Sequence, residues 1–464
     1  MNQILTGIND FMYTYILLIL LVGAGVFFTV FTKGVQVRLL KDGLKSIMEK
    51  KTGNEGEKSV SSFQALMIST ASRVGTGNIA GIATAIAAGG PGAVFWMWVM
   101  AVIGSSSAFI ESTLAQIYKV EENGQFRGGP SYYMEKALKK RWLGILFSIA
   151  LIICFAYGFN GLQSFNMSSA LEYYIPNYSQ THVPMIVGII LAVAFAAVIW
   201  GGAHRIGVIT SFIVPVMAVY ILIGIYTMLT NISSIPHVFG MIFENAFSAR
   251  SFAGGFAGSA VMIGIKRGLF SNEAGMGSAP NAAASADVDH PVKQGLVQVI
   301  SVFIDTLLIC STTAMMLLIS GVQGESGVLD GIPFVQEAIR TNIGQWGIHF
   351  ITVSIFAFAF SSLVGNYYYA ESNILFIKNS KALLNIFRLT CVAAIFFGAQ
   401  ADFSVVWNIA DITMGVMAII NIIAIMLLRK TAIKALKNYE EQKKAGKNPV
   451  FKESDIGIKD TVWK

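Results

Sequence analysis

Chemistry in this chain belongs to the polar residues that interrupt long apolar stretches. Between Ala65-Leu66-Met67-Ile68-Ser69-Thr70-Ala71 and Ile79-Ala80-Gly81-Ile82-Ala83 the sequence reads Ser72-Arg73-Val74-Gly75-Thr76-Gly77-Asn78. Gly75 and Gly77 let the backbone leave helical geometry, which frees carbonyls at the end of one half-helix and N–H groups at the start of the next. Freed carbonyls suit a small cation, whereas freed N–H groups at a positive dipole end suit a carboxylate. Within a bilayer such backbone is tolerated only where it is buried in protein or lines a wet cavity. A kink, or a packing surface made by Gly77 and Gly81, is the simpler reading. Against it, Thr76 and Asn78 carry hydrogen-bonding groups that packing does not need.

Three further features could join this break. Gly254-Gly255-Phe256-Ala257-Gly258-Ser259 permits a second interruption, in which Phe256 either walls a bound solute or simply packs. Ser361 and Ser362 either complete an oxygen site for sodium that needs no carboxylate, or bond back to their own helix. Arg73, Glu111, Asp305 and Asp411 fall inside apolar spans, where an ionisable group costs about 2.5–3.5 kcal/mol and therefore needs a partner or water. For Arg73 the expected partner is Glu111 or Glu273, as a gate or scaffold pair. Enzyme chemistry has nothing to work with. The histidines at 182, 204, 237, 290 and 349 lack HExxH spacing, and neither a G-x-S-x-G elbow nor a Walker A loop occurs. Cys154, Cys310 and Cys391 each sit in an apolar stretch and imply no disulfide framework or metal cluster.

The elements that hold these residues follow from composition. Of 464 residues 54% are hydrophobic and 13% charged, against about 25% charged in soluble chains, which excludes a cytosolic globular enzyme. Scanning for apolar runs of bilayer length predicts an all-α polytopic membrane protein of eleven helices, near 13–32, 61–88, 91–118, 142–172, 185–202, 206–231, 252–270, 292–320, 345–376, 383–400 and 405–428. Met1 to Phe11 has no Lys or Arg, so the first span is not a secretory signal. Lys and Arg number seven in 33–60, six in 119–141 and ten after 428, and connections of the other parity hold almost none. The basic segments belong in the cytoplasm, which places the N-terminus outside and the C-terminus inside a plasma membrane and requires an odd number of spans. The net charge of +7 accordingly points to anionic lipid and not to nucleic acid.

Setting aside the extra N-terminal helix at 13–32 leaves two sets of five, at 61–231 and 252–428, each opening with a glycine-interrupted member. An odd repeat length inverts the second set, and interrupted helices at matching positions of inverted halves point to a solute site near the midplane. Residues 429–464 read as a solvated basic cytoplasmic tail.

Three motifs carry a resemblance. Thr70-Ala71-Ser72-Arg73-Val74-Gly75-Thr76-Gly77-Asn78-Ile79-Ala80-Gly81, Gly128-Gly129-Pro130-Ser131-Tyr132-Tyr133-Met134 and Gly268-Leu269-Phe270-Ser271-Asn272-Glu273-Ala274-Gly275-Met276-Gly277-Ser278-Ala279-Pro280 resemble the alanine or glycine:cation symporter family over nearly the whole chain. The resemblance implies the leucine-transporter fold and sodium-coupled uptake of a small neutral amino acid, with sodium as coupling ion and no other cofactor. It implies that Thr76, Gly77 and Asn78 meet the substrate carboxylate, that Gln163 and Phe256 line the pocket, and that the Ala71 and Val74 carbonyls hold sodium with the Ser361 and Ser362 hydroxyls. One position departs: where some members that carry small amino acids have tryptophan, this chain has Asn366. That substitution enlarges the pocket and adds an amide, which raises glutamine beside alanine and glycine, unless Asn366 merely bonds between helices. Proton coupling, or a channel or sensor on the same scaffold, are the alternatives.

Overall fold

Apolar segments in lipid must satisfy their own backbone groups, so they fold as helices. The computed structural model describes residues 2–49, 60–122, 124–201, 203–248 and 259–464, with backbone alone for residues 2 and 203–214. In chain order the helical stretches that build the bundle are α1 (Gln3–Phe31), α2 (Ser62–Arg73), α3 (Ala80–Gly89), α4 (Gly92–Ile117) and α5 (Arg141–Tyr174). They continue as α6 (Val183–Ile199), α7 (Ala203–Thr230), α8 (Ile235–Ala246), α9 (Ala260–Asn272) and α10 (Pro280–Ala284). The last five are α11 (Pro291–Ile319), α12 (Gly331–Ile343), α13 (Gln345–Ile377), α14 (Lys381–Gly398) and α15 (Phe403–Lys444). Among the described residues seven of these, α1, α4, α5, α11, α13, α14 and α15, are long and apolar enough to cross a bilayer.

The other expected spans depart from an unbroken rod for visible reasons. α2 and α3 are the halves of the first interrupted helix. α6 is short, and α7 contains Pro215 and turns by 80° towards α8. α9 is preceded by residues 249–258, so the expected break at Gly254 to Gly258, with Phe256, lies outside the described residues. Ser259 already caps α9, its hydroxyl accepting from the Met262 N–H at 3.2 Å. A different interruption follows α9. Glu273, Gly275 and Gly277 take φ of 55°, 83° and 87° before the short α10 resumes. Positive φ stops a helix, and two of the three positions are glycine, the residue that adopts it without strain.

Local signals explain where the first broken helix starts and stops. Ser61 and Gln64 form a reciprocal cap, with the Gln64 N–H donating to Ser61 Oγ at 3.2 Å and the Ser61 N–H to Gln64 Oε1 at 2.9 Å. At its far end Val74 is extended, with ψ of 93°, before a single turn of 3₁₀ helix at Thr76–Asn78. Many exposed side chains on the bundle's outside are apolar, such as Val193, Leu222 and Leu427, as expected of a surface solvated by lipid.

The tail corrects an expectation. α15 runs on to Lys444, and the chain beyond it folds back instead of standing in solvent. The Phe451 N–H donates to Asp289 O at 2.9 Å, Trp463 Nε1 donates to Gln116 O at 2.9 Å, and Phe451, Ile456 and Trp463 are buried. These side chains close over Lys119, whose ammonium lies 4.7 Å from the Trp463 ring and 3.8 Å from Phe126 on the hairpin of β1 (Val120–Glu122) and β2 (Gln125–Arg127). Burial lowers the Lys119 pKa to about 7. Apolar residues spaced among lysines are too sparse to show as a helix or strand period, which is why the sequence reads as solvated.

Candidate functional site

The break between α2 and α3 is buried throughout: Ala71, Val74, Thr76 and Asn78 have no more than traces of exposure. α13 packs against it so closely that a Cβ on Gly365 would stand 2.9 Å from the Ser72 backbone, and only glycine fits there. This contact delivers Ser362 to the freed carbonyls. Its Oγ lies 3.1 Å from Val74 O, 3.3 Å from Ala71 O and 3.1 Å from Phe358 O. A hydroxyl has one proton and cannot satisfy three carbonyls at once. The spot is therefore rich in oxygen lone pairs, with no carboxylate required, and its donor set fits a small hard cation. Ser361 does otherwise. Its hydroxyl donates to Phe358 O at 2.8 Å, so it back-bonds to its own helix and leaves Ser362 alone at the carbonyls.

The N–H side of the break is capped by amide oxygens. Gln163 Oε1 on α5 accepts from the Thr76 N–H at 3.1 Å, and Asn78 Oδ1 accepts from the Gly75 N–H at 3.0 Å. Asn166, one turn beyond Gln163, donates to Thr76 Oγ1 at 3.0 Å. Two adjacent N–H groups thus hold acceptor oxygens where a carboxylate could take over. Asn78 is committed at both ends of its amide: Nδ2 reaches Asp305 Oδ1 at 2.6 Å and Ser271 Oγ at 3.2 Å while Oδ1 holds the Gly75 N–H, and Thr313 donates to its backbone carbonyl at 2.7 Å. Asn366 bridges helices. It accepts from Ser72 Oγ at 2.9 Å and donates to Asn160 Oδ1 at 3.0 Å, tying α2, α5 and α13 together.

The structure thus brings Ala71, Val74, Thr76, Gly77, Asn78, Gln163, Ser361, Ser362 and Asn366 to one place, and Phe256 lies outside the described residues. The Arg73 pairing is looser than expected. Arg73 is buried, yet none of its guanidinium nitrogens has a hydrogen-bond partner among the described residues. Glu111 instead accepts from the Gly275 N–H at 3.2 Å and from Asn421 Nδ2 at 2.7 Å, and Glu273 accepts from Ser278. Neutral donors take the hydrogen bonds of both carboxylates, so Arg73 acts on Glu111 and Glu273 only through its charge, from beyond hydrogen-bonding distance.

Sequence reasoning marked Asp305 only as a charge needing a partner and missed its place in the polar floor of the site, where its second oxygen accepts from Ser271 at 2.5 Å and Thr306 at 3.1 Å, and missed Asn160 and Asn166 altogether. A signal existed for the asparagines. Asn160, Gln163 and Asn166 recur every third residue and so share a face of their helix.

Comparison with known proteins agrees with this architecture. The structure superposes on a solved structure titled as MhsT in complex with L-phenylalanine with a TM-score of 0.55, over 89% of this chain and 95% of that one, at 15% identity. That likeness speaks to the fold. The amino-acid carrier protein AlsT of Bacillus subtilis (strain 168) is 48% identical over 100% of this chain and 97% of its own. The protein named "Probable sodium/glutamine symporter GlnT" of the same organism is 48% identical over 97% of this chain and 94% of its own. The model of the sodium:alanine symporter family matches residues 1–453. A multi-pass transporter built around a buried, interrupted helix, this chain belongs to the sodium:alanine symporter family.

Proposed function

We propose that this protein imports a small neutral amino acid, alanine, glycine or glutamine, together with sodium by alternating access, across a plasma membrane that it spans eleven times with its N-terminus outside. The observation that supports this most directly is the convergence of the Ala71, Val74 and Phe358 carbonyls on the single Ser362 hydroxyl, beside two N–H groups capped by replaceable amide oxygens. Sodium at Ala71 O, Val74 O and Ser362 Oγ lets the hydroxyl keep its proton on Phe358 O and turn its lone pairs to the ion. Ser361, whose hydroxyl stays on Phe358 O, stands outside the ion's ligands in this reading. The substrate carboxylate replaces Gln163 Oε1 at the Thr76 N–H beside Gly77 and Asn78, and Gln163, Phe256 and Asn366 face the rest of the solute.

Both ligands act on one unwound segment, so each raises the other's affinity by the same factor. The two sets of five helices are inverted repeats in this reading. The bundle of α2, α3, α4, α9 and α11 rocks against the rest and releases both ligands to the cytoplasm. Uptake of labelled alanine into proteoliposomes tests the proposal: accumulation should need a sodium gradient and vanish in Asn78→Ala, with the protein still monodisperse. Equal rates in sodium and choline media would replace sodium coupling with proton coupling. Competition by glutamine, glycine and serine then ranks the substrates.

A further inference from the structure

The end of the chain takes no part in binding either ligand, yet it ties together the two bodies that move in transport. α15 lies outside the rocking bundle, and the chain reverses beyond its end at Lys444 through exposed residues Ala445 to Asn448, with Gly446 at φ of 74°. Two hydrogen bonds pin the reversal, from Gln442 Nε2 to Val450 O at 2.7 Å and from the Val450 N–H to Gln442 Oε1 at 3.0 Å. The tail then crosses the start of α11, where the ring centre of Phe451 stands 5.2 Å from that of His290, and it ends on α4. α11 and α4 both belong to the bundle.

The tip of the tail is built as a unit. Glu453 Oε2 accepts from the Thr461 N–H at 3.0 Å and from the Thr461 hydroxyl at 2.9 Å, while the Glu453 N–H donates to Trp463 O at 2.7 Å. This closed ring presents Trp463 to the last turn of α4, whose carbonyls have no partner within the helix, and the indole takes Gln116 O. Gln116 in turn donates to Ala286 O at 2.9 Å, just beyond α10, and Lys119 donates to the same oxygen at 2.8 Å. Trp463 thus sits on the node where α4 meets the segment after α10. Because the ring bonds lie within the tail, they survive when the tail leaves α4.

Docking also carries an opposing term. Trp463 and Phe126 of β2 cover Lys119, which is 2% exposed and finds one acceptor for its three donors among the described residues. The charges of Asp287 and Glu121 offset the loss of water only in part. A contact that takes an ammonium out of water works against its own formation, which keeps it reversible. With the tail docked, that side of the break is closed: Asn373 of α13 donates to Asn281 Oδ1 of α10 at 3.1 Å, and both are buried. We infer that residues 445–464 form a strap that holds the bundle to α15 at the cytoplasmic face and must leave Gln116 before that face opens. The direction of opening rests on the proposed function; the strap and its contacts do not.

The test reads opening without any solute. Ser285, buried just beyond α10, becomes a reporter as Ser285→Cys in the purified full-length protein, reacted with a water-soluble maleimide; the unsubstituted protein, whose three cysteines are buried, supplies the blank. Adding Trp463→Ala should speed labelling of the reporter by at least about fivefold, and ending the chain at Val450 should do the same. An unchanged labelling rate in either would overturn the strap, and Trp463→Ala decides alone if the shortened chain fails to fold. In proteoliposomes the same changes, without the reporter, should speed exchange of labelled alanine severalfold. If labelling accelerates while the wild type exchanges no alanine, the strap stands and it is the proposed function that fails.

Discussion

Gly75 separates the cation and solute halves of the site, and replacing it with alanine tests both together. Its φ of −140° is not left-handed and its ψ of −151° lies just past the extended region, so the backbone term is small beside the steric one. The effect comes from where the methyl lands. It would overlap Ser362 Oγ outright and stand 3.0 Å from Gln163 Nε2 and 3.1 Å from Oε1, tight contacts that press Gln163 to give by a few tenths of an ångström. Relief requires Ser362 to leave the Ala71 and Val74 carbonyls or Gln163 to leave the Thr76 N–H. Overpacking of this kind costs about 1–3 kcal/mol, and if it falls on the ligand-bound state it weakens binding by roughly 5–150-fold. The assay is initial uptake of labelled alanine in proteoliposomes at varied sodium. Gly75→Ala should raise the sodium concentration for half-maximal rate by at least about fivefold, and alanine affinity at fixed sodium should fall as well. Because the methyl reaches a side chain on each side, the two losses should move together as sodium is varied. Wild-type dependence on both ligands, in a protein that folds, would mean that neither Ser362 nor Gln163 serves the site as described.

Two other outcomes follow from particular contacts. Ser362→Ala removes the one hydroxyl at the freed carbonyls, a change of about 1 kcal/mol, and should raise the half-maximal sodium concentration roughly five- to tenfold. Ser361→Ala, whose hydroxyl serves Phe358, should change it by less than about twofold, and equal effects in a sodium titration would show that both bind the ion. His290 caps α11, with Nδ1 accepting from the Val292 N–H at 3.2 Å and Nε2 facing Asn438 Oδ1 at 3.1 Å, and burial lowers its pKa from 6.5 to about 4. The unfolded chain therefore binds a proton below pH 6.5 that the folded chain refuses, so stability is full above 6.5 and falls as pH drops towards 4. The loss should approach about 1.4 kcal/mol per pH unit in that window. His290→Asn, which still caps a helix, should flatten the melting temperature between pH 7 and 5; an unchanged slope would assign the acid sensitivity elsewhere.

What the sequence revealed and what it hid divide along a physical line. The first break was legible because its signal is local: two glycines and four polar side chains within two helical turns, between apolar residues, admit few geometries. The Ser362 contact was legible as a possibility only, since whether a hydroxyl faces its own helix or a neighbour depends on the crossing of α13 over α2. That crossing is set by Gly365, whose role appears only when the opposing Ser72 backbone is in place. The same dependence decided against Ser361, one residue and about 100° further round the helix.

Charged residues misled for the opposite reason. Arg73, Glu111 and Glu273 carry charges that invite pairing on paper, but backbone N–H groups freed by the positive-φ residues after α9 reach Glu111 first. An interrupted helix supplies donors that no pairing of side-chain charges anticipates. This is also why function in this chain gathers where helices fail. Each failed turn releases donors and acceptors that lipid cannot satisfy; neighbouring side chains hold them between cycles, and a solute that brings its own ion and carboxylate can take their place.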